Sequence, residues 1–328
     1  MDFAGTGGQS RSDMPERPEQ SPNAGPDSVK HDSATHDSAA ADWGNYWQGR
    51  ANEAGAALVG VERNAELDAF WAAEFADAPH EARVVDLGCG AGTVLRAASA
   101  AGLNRLVGVD VSAEAIAALS DAVPGATGVV GSADAPPLAE GSADVLTSQF
   151  GVEYSDVMKA AGRATALLAP GGRVVWVCHH ADGAIAAEVR GHAAEARTLL
   201  DSGFVPRAKA VFRAGDAEFE EAAKAFGEAQ DAVLALAKAG RGMSAHLYAG
   251  TQQLWQRRKA YDAGDIDGWL DGMAGEITAY QGRMDSMLAA ALDAETAEAV
   301  CQRLGKGAEL ATLSLGGRTA AWVIRYGG

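Results

Sequence analysis

Basic side chains are scarce in this sequence of 328 residues: 27 lysines and arginines stand against 44 acids, a formal net charge of −17. A protein that grips nucleic acid regardless of its sequence needs a basic face to displace counterions, so that class is disfavoured, as is a polybasic membrane-surface protein. Cysteine is scarcer still, with three residues (Cys89, Cys178, Cys301), widely spaced and without a C-x-x-C. That odd set fits neither a disulfide framework nor a zinc site, and no metal is expected. No apolar run approaches the roughly 18 residues of a membrane span, and the N-terminus carries no apolar signal-peptide core. The expectation is a soluble, cytoplasmic protein without nucleic-acid or membrane partners. Aromatics contribute only 6%, yet hydrophobic residues reach 48%, ample for a sizeable core.

Proline is also sparse, and four of the ten (Pro15, Pro18, Pro22, Pro26) fall within residues 1–41 among Ser, Asp, Gln and Gly. Such a stretch cannot bury enough surface to offset its ordering entropy, so a disordered tail is expected over 1–41, holding His31 and His36 as solvated residues. Order is expected from Trp43, Tyr46 and Trp47 onward, with N-terminal helices over 42–80. Leu67, Phe70, Trp71 and Phe75 recur at helical spacing before Pro79.

From Arg83 to Cys178 short β-branched runs (Arg83–Leu87, Leu106–Val109, Gly128–Val130, Ala143–Thr147, Arg173–Cys178) alternate with alanine-rich helical stretches. That alternation predicts an α/β fold: parallel strands joined by crossover helices that cover both faces of the sheet. Pro170-Gly171-Gly172 reads as the turn before the fifth strand. Residues 183–304 are helical in period. Asp216 is placed to cap a helix carrying Phe219, Phe226 and Val233 on one face and stopping at Gly240, and Met273, Ile277, Tyr280, Met284 and Leu288 form a second apolar stripe. Arg257-Arg258-Lys259 reads as a solvated face. Strand character returns at Glu309–Leu315 and Thr319–Tyr326, with Gly316-Gly317 between them, the pattern of a β-hairpin. The expected organisation is one α/β domain over 81–182 plus 305–328, interrupted by a helical insertion or cap over 183–304.

The strongest local signal is Val84-Val-Asp86-Leu-Gly88-Cys89-Gly90-Ala-Gly92-Thr93. A buried strand runs into alternating glycines just before a helix. Glycines permit the tight turn and let a ligand approach the backbone, while N–H groups at the helix start point at it. Asp86 brings a carboxylate to the same place. Further on, Asp110 in Val109-Asp110-Val111-Ser112 ends the second strand, where a carboxylate accepts both hydroxyls of a ribose. The two features together indicate a nucleoside-bearing cofactor on a doubly wound sheet. A dinucleotide fold uses G-x-G-x-x-G, whereas the spacing here is G-x-G-x-G followed by Thr93. A carboxylate before the loop repels a pyrophosphate and suits the ammonium and sulfonium charges of S-adenosylmethionine.

On these residues the sequence resembles the class I S-adenosylmethionine-dependent methyltransferases, over roughly 81–180 plus 306–328. The resemblance implies a mostly parallel seven-stranded sheet with an antiparallel C-terminal hairpin, S-adenosylmethionine as cofactor, and methyl transfer; an acidic cleft capped by the helical insertion points to a small-molecule acceptor. It implies cofactor contacts from Asp86, Gly88, Cys89, Gly90, Gly92, Asp110 and Val111. An adenine-reading segment follows at Gly131-Ser132-Ala133-Asp134, where Ser132 stands in place of the usual acid, Asp134 lies two places on, and Ala133 keeps the backbone role. The resemblance also implies that the backbone near Gln149 meets the methionine part. Cys89 fits a small filler better than a nucleophile, and Cys178 reads as a core residue.

Three residues are candidates for catalysis. His179 and His180 follow the fifth strand, at the edge where α/β sheets place their chemistry, and Glu153 with Tyr154 follows the fourth. Gln149-Phe-Gly-Val-Glu-Tyr154 stands where amino-methylating branches carry (Asn/Asp)-Pro-Pro-(Tyr/Phe), and no Pro-Cys nucleophile for cytosine is present. Two other readings use the same motif: a non-catalytic, methyltransferase-like interaction protein, and an NAD(P)-dependent oxidoreductase.

Overall fold

The computed structural model describes residues 61–327; the expected tail, with His31 and His36, and the Trp43–Trp47 stretch lie outside them. The described chain forms two compact units, residues 191–282 and residues 61–190 with 283–327.

The larger unit is built on one seven-stranded sheet. In chain order its elements are α1 (Val61–Phe75), β1 (Arg83–Leu87), α2 (Thr93–Ala100), β2 (Arg105–Asp110), α3 (Ala113–Ala122), β3 (Thr127–Val130), β4 (Ala143–Gln149), α4 (Val157–Leu167) and β5 (Leu168–His179). After the helical stretch come α10 (Ala294–Leu304), β6 (Glu309–Leu315) and β7 (Arg318–Gly327). The strand order is β3-β2-β1-β4-β5-β7-β6, parallel throughout except for β7, which runs antiparallel to both neighbours. Fold class and C-terminal hairpin agree with expectation. Gly316 and Gly317 take φ of 59° and 70°, the left-handed pair that a two-residue hairpin turn requires.

Buried runs explain the central strands. Val84, Val85 and Leu87 of β1, and Val174–Cys178 of β5, are almost fully buried, as expected of strands covered on both faces. Helix α1 places Leu67, Trp71 and Phe75 inward at four-residue spacing, each at most 1% exposed. Helices α3, α4 and α10 begin at side-chain caps, Ser112, Asp156 and Asp293, each accepting the N–H three residues on. At the amino ends of the strands Arg83 clamps Asp144 of β4 through Nε (2.9 Å) and a terminal nitrogen (2.8 Å). That guanidinium holds the Asp144 carboxyl down at about 2.

Two expectations about boundaries need correction. Strand β5 begins at Leu168, five residues before Arg173, because Leu168 already pairs with Ala143; Pro170-Gly171-Gly172 is an irregularity within the strand, Gly171 having φ of 78°. Asp216 is not a cap: Glu218 occupies the N-cap position of the following helix, with no side-chain cap bond.

The helical stretch comprises α5 (Ala184–Asp201), α6 (Phe204–Arg213), α7 (Phe219–Lys238), α8 (Gly242–Gln256) and α9 (Ala263–Ala290). Within residues 191–282 the core gathers Phe204, Val233, Leu247, Trp269, Met273 and Ile277, so the Met273–Ile277 part of the expected stripe is core. Helices α8 and α9 approach closely at Gly250, where a Cβ would lie 2.4 Å from the Trp269 ring. Arg258 is exposed and lies 4.2 Å over the Trp255 ring. A buried carboxylate, Glu195, accepts the Ser244 N–H (2.9 Å) and hydroxyl (2.7 Å) through Oε1, satisfying donors in the first turn of α8 from a neighbouring helix. Replacing Glu195 with Ala should therefore lower stability by about 1–3 kcal/mol in urea denaturation, with Glu195→Gln recovering part of the loss. An unchanged midpoint in the Ala variant would remove the capping role.

Candidate functional site

Strand order reverses between β1 and β4, because the chain leaves β1 towards β2 and leaves β4 towards β5. A crevice at the carboxyl ends of such a strand pair is where open α/β sheets bind ligands. Here the glycine loop follows β1, and Phe150-Gly151 follows β4. The two loops touch backbone to backbone: a Cβ at Gly88 would lie 2.7 Å from Gly151 Cα, and one at Gly151 would lie 2.7 Å from Gly88 O. Gly151 is a site residue that sequence reasoning missed. A glycine directly after β4 was the available signal.

The glycines divide by role. Gly88 (φ 66°) makes the contact just described, and Gly90 (φ 50°) donates its N–H to Asp110 Oδ2 at 2.9 Å. Gly92 (φ 82°) is the left-handed N-cap of α2, and a Cβ there would meet Leu119 of α3 at 2.4 Å. Its absent side chain serves helix packing, a purpose the ligand-approach argument did not supply. Cys89 likewise turns inward. Gly108 of β2 leaves room for it, since a Cβ there would lie 2.7 Å from the Cys89 sulfur. Its amide donates to Val109 O at 3.0 Å, as does that of Gly88 at 2.8 Å. Burial, then the charges of Asp110 and Asp86, push the Cys89 thiol well up, which leaves it an inert filler.

Asp110 organises the second half of the site. Its Oδ1 accepts the Ser112 N–H at 2.9 Å, while its own carbonyl accepts the Gly131 N–H at 2.9 Å. The loop after β3 is thereby fastened beside the carboxylate. In that loop the Ser132 hydroxyl donates to Asp134 Oδ1 (2.5 Å), and Lys159 donates to Asp134 Oδ2 (3.1 Å). Burial works against the Asp134 charge, but these two donors outweigh it and hold the carboxyl low. Ser132 keeps its lone pairs as acceptors, and Ala133 between the two residues is 8% exposed. Val111 and Val130, at the ends of the paired strands β2 and β3, are unusual as large apolar residues left 52% and 54% exposed.

Asp86 sits deeper, 1% exposed, and accepts the Thr147 hydroxyl from β4 at 2.8 Å. Burial raises its pKa to about 7, with the Asp110 charge adding to the rise against the Thr147 bond. Burial also raises Asp110, against the N–H groups that favour its charged form. Gln149 ends β4 with its side chain accepting the Trp71 indole N–H from α1 at 2.5 Å.

The catalytic candidates separate. His179 and Glu153 come together: Glu153 Oε1 lies 2.8 Å from both the His179 amide nitrogen and Nδ1. Phe150 stacks on the imidazole at 4.3 Å, and Phe150 is the one described non-glycine residue with positive φ (53°). His180 points elsewhere. Its ring stacks on Trp322 at 4.1 Å, and its Nδ1 accepts the Asp182 N–H at 3.0 Å. Among the described residues no group of three or more His, Cys, Asp or Glu could hold a metal ion, and no helix is long and apolar enough to cross a membrane.

Asp86 gives a testable pH dependence. Its folded pKa near 7 exceeds the unfolded value, so the folded state keeps a proton that the unfolded state has lost. Stability from this group is full below about pH 4 and falls until about pH 7, opposite in sign to the loss below about pH 4 that Asp144 contributes. Asp86→Asn should raise the stability of the ligand-free protein above pH 7 by up to about 4 kcal/mol and flatten that decline, Asp110 retaining a share. Thermal denaturation across the range would refute the assignment if the variant tracked the parent.

A family model described as a methyltransferase domain matches residues 85–176. None of the curated proteins matches the chain. Among solved structures, an S-adenosylmethionine dependent methyltransferase from Mesorhizobium loti is similar at 32% identity, over 34% of this chain and 54% of that one, with a TM-score of 0.31. The YcgJ protein from Bacillus subtilis shares 26% identity over 41% of this chain and 58% of its own, TM-score 0.33. A geranyl diphosphate C-methyltransferase from Streptomyces coelicolor A3(2) shares 20% over 35% and 45%, TM-score 0.33. The chain thus spans about half the length of these solved structures. The domain match across the glycine loop and Asp110, with the reversal of strand order at β1 and β4, agrees with the class I S-adenosylmethionine-dependent methyltransferase superfamily expected for the α/β part of this chain.

Proposed function

We propose that this protein transfers a methyl group from S-adenosylmethionine to a small-molecule acceptor. The observation that carries the reading is the pair of acids around the glycine loop, buried Asp86 and partly buried Asp110, each raised by loss of solvent and therefore short of a cation. A ligand bearing ammonium and sulfonium charges relieves that shortage, whereas a pyrophosphate aggravates it. The residues present fit the cofactor in other respects. Asp110 has lone pairs beyond its two backbone bonds for ribose hydroxyls, and the exposed Val111 and Val130 offer an apolar face beside it. Ser132 is an acceptor for an adenine amino group, with Ala133 supplying backbone and Asp134 held by Lys159. Asp86 would orient the amino group, the glycine loop (Gly88, Cys89, Gly90, Gly92) would supply backbone surface, and the chain at Gln149 would border the methionine part.

When bound, the cofactor supplies a methyl group on a positively charged sulfur that is a good leaving group. The residues of this chain then have to align and desolvate, and alignment of reacting groups is worth roughly 7–11 kcal/mol. We assign 81–182 with 305–328 to the cofactor domain and 183–304 to an inserted helical segment. The net charge of −17 favours a small acceptor over a polyanion.

Calorimetric titration tests the reading. Adenosylhomocysteine and S-adenosylmethionine should bind near micromolar concentrations, with NAD showing no heat. Asp110→Ala should weaken both by roughly tenfold to a hundredfold, the loss of charge-assisted hydrogen bonds. Failure of both ligands to bind would end the proposal.

A further inference from the structure

At the carboxyl edge of the sheet, two residues along from Gly151, a buried carboxylate meets a buried imidazole. Glu153 is 5% exposed and His179 2%. Glu153 Oε1 takes both contacts from His179, while Oε2 is buried with no hydrogen-bond partner among the described residues. Leaving a buried carboxylate oxygen unsatisfied is unfavourable, and packing alone gives no reason for a charge here.

The contacts set the imidazole's protons. An oxygen that already accepts the His179 amide N–H acts as an acceptor, so the ring completes the pair by donating from Nδ1. Nε2 is then the nitrogen with the free lone pair. Phe150 stacked on one face at 4.3 Å and Tyr154 edge-on at 6.0 Å hold the ring plane. Burial first, then the Glu153 charge, pushes the Cys178 thiol and the Tyr154 phenol well up, so both stay neutral beside the pair. His180 is unsuited to the same task, with its ring on Trp322 and its Nδ1 engaged by the Asp182 N–H.

We propose, resting on the methyl-transfer reading above, that His179 is the general base, that Glu153 is its positioning residue, and that the acceptor is a hydroxyl compound. The acceptor oxygen forms the new bond to the methyl carbon with its own lone pair. The electron pair of the breaking carbon–sulfur bond stays on sulfur, and the hydroxyl proton passes to His179 Nε2 and then to solvent. A neutral amine attacks without prior loss of a proton and a thiol ionises near neutrality, so a hydroxyl is the acceptor that gains most from a buried base.

The full chain labelled with ¹⁵N-histidine, with and without adenosylhomocysteine, reports the His179 tautomer by long-range ¹H–¹⁵N correlation. The expected result is a protonated Nδ1 and a bare Nε2 at roughly pH 8. In parallel, radiolabelled methyl transfer is measured on phenols and aliphatic alcohols and on their amino analogues. Hydroxyl probes should accept the label. His179→Gln should lower kcat by roughly a hundredfold or more, and Glu153→Gln by roughly tenfold to a hundredfold at nearly constant KM, with Glu153→Asp recovering part. Adenosylhomocysteine affinity should stay within about twofold in all three, which certifies folding, and His179→Asn replaces any variant that fails this check.

A proton on Nε2, transfer to amino probes alone, or a His179→Gln enzyme that keeps its hydroxyl rate would each overturn the proposal. The tautomer needs no acceptor and decides the matter when no probe is methylated. If adenosylhomocysteine does not bind the parent protein, the methyl-transfer reading falls; if it binds and Nε2 carries the proton, the base assignment alone falls.

Discussion

The contact of Gly88 with Gly151 is the constraint from which the rest of the crevice follows. Strands β1 and β4 are neighbours whose chains depart in opposite directions, and two backbones can turn away from each other this closely only if neither carries a Cβ. The Ser148 hydroxyl then stitches the junction, donating to Leu87 O at 2.7 Å and accepting the Val152 N–H at 2.9 Å. The single helical turn Val152–Tyr154 therefore hangs from the end of β4 in a set direction and delivers Glu153 to the end of β5. Cofactor loop and acid–imidazole pair are two consequences of one close approach.

The same crevice is unfavourable by itself. Asp86 is a buried acid and Asp110 a partly buried one; burial raises both, the Asp110 charge raises Asp86 further, and their ionisation subtracts from stability at neutral pH. What destabilises the fold would also favour a cationic ligand on the proposed reading, because the free energy lost on ionisation would return when a positive charge arrives. Backbone N–H groups from Gly90 and Ser112 hold Asp110 in place, whereas among the described residues Thr147 alone is bonded to the Asp86 carboxylate. Asp86 is accordingly the member shifted to about 7.

Local patterns carried the parts of this molecule that depend on local physics. Alternating β-branched runs marked the strands, Gly316-Gly317 marked the hairpin, and the loop after Asp86 marked the ligand edge. What stayed hidden depends on register between distant segments. Glu153 and His179 lie 26 positions apart and meet only because Gln149 pairs with Val177. Gly92 and Gly108 look like ligand or strand glycines in the sequence, yet their neighbours are Leu119 and the Cys89 sulfur. The early start of β5 escaped because Pro170-Gly171-Gly172 has the composition of a turn, and pairing to Ala143 overrides it. Glu218 in place of Asp216 at the start of α7 is a matter of two residues, the scale on which helix ends vary.

Two buried glutamates in this chain show why one is assigned to structure and the other to chemistry. Glu195 accepts an N–H and a hydroxyl from Ser244 and lies 4.0 Å from the His192 ring through its second oxygen; it completes a helix end. Glu153 puts both N–H donors of His179 on one oxygen, and its other oxygen has no hydrogen-bond partner among the described residues. An unpartnered atom alone is weak ground, since the indoles of Trp176 and Trp269 are also buried without a partner among the described residues. Those are neutral donors in apolar packing, where the loss is modest. Glu153 is an acid, it sits against an imidazole, and it stands next to the loop junction at which the sheet opens. Charge, partner and place coincide there, and a role confined to packing accounts for none of the three.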